Sequence, residues 1–140
     1  MLKKTVLTAL ITFATTLSVN ALAQDLSTTN NTKFDSTCRT NDWMCSTDVL
    51  GEAGITRAGE QHKITSGAQL KLACIKNLRN CKADIYMQDK CGGPKIATIY
   101  FDTLGEGVKS IEPVDNTYTI TGLHSFDVTI SGGPSVKSGK

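Results

Sequence analysis

The stretch Thr117-Tyr118-Thr119-Ile120-Thr121-Gly122-Leu123-His124-Ser125-Phe126-Asp127-Val128-Thr129-Ile130-Ser131 carries the period that decides the fold. Tyr118 and Ile120 stand between threonines, while Phe126, Val128 and Ile130 alternate with Asp127, Thr129 and Ser131. In an extended chain successive side chains point to opposite faces, so a period of two gives one apolar and one polar face. That is the pattern of antiparallel strands with one wet side, here folded back at Gly122 to Ser125.

The same period recurs upstream. Leu70, Leu72 and Cys74 alternate with Gln69, Lys71 and Ala73, and Ala83, Ile85 and Met87 alternate with Lys82, Asp84, Tyr86 and Gln88. Ile96 to Phe101 is a β-branched and aromatic run suited to burial on both faces. Turn residues separate the runs at Asn77 to Asn80, Gly92-Gly93-Pro94, Gly105-Glu106-Gly107 and Pro113 to Asn116. Connections this short leave no room for crossover helices. The expected fold is all-β, a small antiparallel β-sandwich or barrel of about six to seven strands in one domain spanning residues 38–131.

Residues 24–37 are rich in Ser, Thr, Asn and Asp and poor in large apolar side chains, which predicts a flexible lead-in. Asn30-Asn31-Thr32 matches an N-glycosylation sequon but reads as part of that solvated segment. Ser46, Thr47 and Asp48 can cap a short helical turn running to Leu50. Trp43 is most simply a core or lid anchor, with ligand stacking as the sharper alternative. Residues 132–140 hold no apolar side chain beyond Val136 and are expected to fray.

The first 23 residues have the order of a cleavable signal peptide. Lys3 and Lys4 precede an uncharged apolar stretch from Thr5 to Val19, and Ala21-Leu22-Ala23 offers the small residues of a cut before Gln24. Threonines at 8, 12, 15 and 16 make the stretch too polar and short for a permanent span of roughly 30 Å. No second long apolar run follows, so a stable membrane anchor after processing is not expected. The net charge of +2 resides in Lys3 and Lys4, leaving thirteen basic and thirteen acidic side chains in the processed chain. They are interspersed, without the dense cationic cluster that nucleic acid requires. Localisation outside the cytoplasm, periplasmic or extracellular, follows from the signal.

Export puts the five cysteines where disulfides persist. Cys74 and Cys81 flank a predicted turn and are the leading pair, since opposed strand positions meet the required Cα separation of roughly 4.4–6.8 Å. Cys38 and Cys45 repeat the six-residue gap and form the second candidate pair. Cys81 and Cys91 bracket a run that spans roughly 30 Å if extended. Cys91 is then the odd thiol, free or joined to a second copy in a disulfide-linked dimer. No Cys-x-x-Cys occurs, and His62 and His124 lie at no recognised ligand spacing from a cysteine, so neither metal nor other cofactor is expected.

Tyr86, six residues, Gly93 and then Val108-Lys109-Ser110-Ile111 are loosely similar to the aromatic, glycine and serine pattern of a βγ-crystallin Greek key, over about a quarter of the processed chain. That resemblance implies calcium binding through an acidic loop ending in paired hydroxyl residues. Lys109 stands where the first hydroxyl belongs, and in Asn41-Asp42-Trp43-Met44-Cys45-Ser46 a cysteine does. No site is carried over.

Export, size, neutrality and the thin set of catalytic groups favour a non-catalytic secreted or periplasmic binding module for a protein or glycan partner, such as an inhibitor, adhesin-like or host-facing factor. The alternative is a small exported hydrolase or thiol-redox protein using Cys91 or His124.

Overall fold

The computed structural model describes residues 24–134, so the signal-peptide reading, its cut between Ala23 and Gln24 and most of the expected C-terminal fray lie outside the described residues. Within them the chain is mostly β. The strands are β1 (Leu26–Asn31), β2 (Thr37–Thr40), β3 (Met44–Cys45), β4 (Lys63–Thr65), β5 (Cys81–Tyr86), β6 (Ala97–Asp102), β7 (Gly107–Pro113), β8 (Tyr118–Thr121) and β9 (Asp127–Gly132). Helix α1 (Ser46–Leu50) runs into a 3-10 turn at Gly51–Gly54, and α2 (Gly67–Ala73) precedes β5.

Two sheets result, in the orders β4-β1-β9-β8 and β3-β2-β5-β6-β7. The hairpin β8–β9 has the register Ile120↔Ile130. All pairings are antiparallel except that of β1 with β9, which is parallel from Ser27↔Asp127 to Asn31↔Ser131. Neither sheet closes on itself. Val128 and Ile130 of the first sheet share one core with Ile85, Ala97, Ile99, Phe101 and Val108 of the second and with Leu70 of α2. Gly107 lies against the β8–β9 turn: its φ is 81°, and a Cβ there would strike the Ser125 carbonyl.

The lead-in at 24–37 is corrected by β1, which is paired on both edges inside the first sheet. Composition misleads because the two buried residues of β1, Thr29 and Asn30, are polar. Asn30 is 0% exposed, and its Nδ2 donates to the carbonyls of Phe34 (2.7 Å) and Thr56 (3.1 Å) while its Oδ1 accepts from the Thr32 hydroxyl (2.7 Å). The sequon nitrogen therefore already donates twice and is shut away from any glycan-transferring enzyme. A buried polar side chain is tolerable when its hydrogen bonds are made. Asp25 Oδ1 accepts from the Gly67 N–H at 2.8 Å, tying the start of β1 to the first turn of α2.

The strand expected over 69–74 is a helix. Ser66 Oγ accepts from the Gln69 N–H at 3.2 Å, and Gln69 Oε1 accepts from the Ser66 N–H at 3.0 Å, a reciprocal capping box. Leu70 and Ala73, three apart, are buried, whereas Leu72 faces solvent. Over six residues a period of two cannot be told from a helix, and the cap decides.

Candidate functional site

The disulfides are Cys74–Cys81, with Cα atoms 5.5 Å apart, and Cys45–Cys91, at 5.7 Å. The first joins the C-cap of α2 to the start of β5 rather than two strands. The second corrects two expectations, for Cys91 is bonded and Cys38 is the free thiol. Register explains why Cys38 and Cys45 do not meet. Cys45 lies opposite Arg39, so it shares that residue's face, and Cys38, one position earlier, points the other way, opposite Ile85 on the core face. Cys91 reaches Cys45 because residues 88–95 return across the outer face of the second sheet. There Thr37 Oγ1 donates to the Gln88 carbonyl, and the buried Asp84 accepts from Thr98 Oγ1 (2.6 Å) and Lys95 Nζ (3.1 Å).

Cys38 opens onto a cavity of about 120 Å³ between the sheets, walled by both of them and by Leu50, Ala53 and Gly54. The residue is half-buried and lines that cavity. Burial pushes the thiol up to about 11 from 9.0, the neighbouring Ser46 hydroxyl pulls against it, and the Asp84 charge adds to the rise. The folded state thus holds the proton more tightly than the unfolded chain. Its contribution to stability is complete below about pH 9 and is lost as pH climbs towards 11. Relative to the Cys38→Ala variant, the protein should lose on the order of 2 kcal/mol across that window. Urea titrations of both proteins at pH 8 and pH 11 check this, and parallel losses would count against it.

The groups considered for catalysis are not brought together. Cys91 carries no thiol, which removes it as a nucleophile or redox centre. His124 lies in the β8–β9 turn at φ 62°, with Nδ1 2.7 Å from Glu106 Oε1 on the exposed surface. The adjacent Ser125 hydroxyl donates to the Gly122 carbonyl at 2.7 Å. His62, at the approach to β4, has Nδ1 3.4 Å from Ser27 Oγ. Among the described residues no three His, Cys, Asp or Glu side chains form a metal-binding group.

A different constellation forms at the β2–β3 turn. Asn41 and Asp42 both adopt positive φ, 52° and 55°, and lift Trp43 to the surface, where it is 40% exposed. A core role for Trp43 is thereby corrected. Lys76 Nζ sits 4.8 Å from the indole centroid, a cation–π contact. Arg39 Nη1 donates to the Trp43 carbonyl at 3.2 Å. Beside it lies an open cleft of about 360 Å³ lined by Asn41, Asp42, Lys76, Asn77, Asn80, Lys82 and Tyr100. Asn41 is fixed from both ends, its Oδ1 accepting from the Lys82 N–H (3.0 Å) and its Nδ2 directed at Cys81 Sγ (3.8 Å). Asp42 bonds Lys82 Nζ at 3.0 Å and holds that ammonium's pKa above its usual value. The one legible signal was Asn-Asp before the sole tryptophan, since both residues tolerate the left-handed region. The contributions of Asn77, Asn80 and Tyr100 come from distant segments.

A family model described as the type II secretion system substrate NttC matches residues 1–132. The chain belongs to the NttC family. The crystal structure of the Legionella pneumophila type II secretion system substrate NttC superposes with a TM-score of 0.61 at 18% identity, covering 78% of this chain and 97% of that one. The likeness shows a shared fold. No curated protein matches the chain. NttC membership makes this an exported protein, periplasmic or extracellular. Two disulfides in an NttC-family chain accord with that oxidising destination.

Proposed function

We propose that this chain is a non-catalytic exported binding module in which the two sheets, packed as a β-sandwich, present the Trp43 indole and the cleft beside it to a glycan. The observation that carries the reading is the exposed indole held on two left-handed residues beside a ring of side-chain amides, a carboxylate and ammonium groups. An indole face accepts the apolar face of a sugar ring. Asn amides both donate and accept, Asp accepts and Lys donates, which matches the mixed demands of vicinal hydroxyls. The cleft is shallow and polar, suited to a surface-exposed saccharide more than to an enclosed substrate.

The chain's sole tryptophan makes its own reporter. Titration of the folded protein with a panel of oligosaccharides should give a saturable change in tryptophan emission for at least one class. Calorimetry on Trp43→Ala should then show that affinity weakened by roughly tenfold, the scale of one lost stacking contact. If no saccharide perturbs the emission, or the alanine variant binds equally well, the reading is wrong.

A further inference from the structure

The space between the sheets is large for its place. Protein interiors pack with few voids bigger than a water molecule, yet about 120 Å³ is unfilled by protein atoms among Leu70, Ile85, Ile99, Phe101, Val128 and Ile130. Ala83 lies at the middle of the second sheet, opposite Thr40 and Ile99, and still keeps accessible surface because its methyl group faces this space.

The lining surface is mostly apolar. Three of the hydroxyls on its wall already donate to main-chain carbonyls, Thr37 to Gln88 at 3.0 Å, Thr40 to Ala73 at 2.6 Å and Ser46 to Gly54 at 2.7 Å. A buried water needs two to four polar partners, whereas an apolar cavity of roughly 150 Å³ stays dry and takes up benzene. The Cys38 thiol, kept neutral by its surroundings, adds a soft and weakly polar wall. On one side the wall is a single 3-10 turn, Gly51–Gly54, following the five-residue α1. Short helical turns of this kind open locally at low cost and give a route in.

We propose that the inter-sheet cavity is a binding site for a small uncharged apolar molecule on the scale of one aromatic ring. The site is separate from the Trp43 cleft and does not rest on the glycan reading. Its ligand sits between both sheets and reads shape and apolarity rather than charge.

Benzene is the probe. With methyl-labelled protein, benzene should produce saturable shifts at Ile85, Ile99, Val128 and Ile130, and Ala83→Ile, which fills the space, should weaken the effect at least tenfold. Absence of shifts up to the solubility of benzene, or equal binding by a folded Ala83→Ile variant, overturns the proposal. Should that variant not fold, crystals of the unsubstituted protein under xenon pressure give the answer. Xenon density inside the cavity supports the site, and its absence overturns it.

Discussion

Replacing both Cys45 and Cys91 with alanine should lower the unfolding free energy by about 4 kcal/mol, the chain-entropy value for a cross-link between residues this far apart. Their separation is 46 residues, against 7 for Cys74–Cys81, for which the same relation gives about 2 kcal/mol. The longer bond removes more freedom from the unfolded chain. It also holds residues 88–95 over the outer face of the second sheet, where Lys95 meets the buried Asp84. Without the bond, that segment should exchange its amide hydrogens faster while β5 and β6 remain protected. Urea unfolding of the oxidised protein and the double variant measures the loss, which corresponds to roughly 15–20 °C in Tm for a domain of this size. A loss under about 1 kcal/mol would mean that the segment is held by its other contacts and that the cross-link constrains little.

Phe101→Ala should cost about 4 kcal/mol, within the range for deleting a buried aromatic side chain. Phe101 is buried on β6 and meets the ring of Phe126, which leads into β9 of the other sheet, edge to face with centroids 5.3 Å apart. The pair is thus a direct side-chain link across the core. Truncation would also enlarge the cavity that Phe101 already lines, and two hydrogen-bonded sheets cannot collapse freely into the gap. A double-mutant cycle with Phe126→Ala should return a coupling of about 1 kcal/mol for the ring contact itself. If the single variant loses less than 1.5 kcal/mol, the sheets close around the space and the packing argument fails.

β5, β8 and β9 fall on the alternating runs that predict them, and β6 falls on the continuous β-branched run. Two elements defeat that reading for different reasons. β1 buries a threonine and an asparagine whose cost is met by hydrogen bonds to segments far along the chain, so hydropathy alone suggests disorder. α2 alternates by coincidence, and its Ser66–Gln69 capping box sits outside the period-two test. In the site, Trp43 could be singled out as an unpaired aromatic, but its exposure depends on the left-handed pair before it and on Lys76 arriving from beyond α2.

By itself the sequence determined the mostly β character and the positions of the turns, because both are local properties of neighbouring residues. Only the tertiary structure decided which cysteine stays free. A one-residue step along β2 sets whether a side chain faces the core or the surface, and that choice is made by the strands on either side. The same register turns Cys38 into the cavity, carries Cys45 to the opposite face, and brings Cys91 to it across 46 residues. Pairing between strands distant in sequence is enforced by burial of a whole face, which no local spacing records.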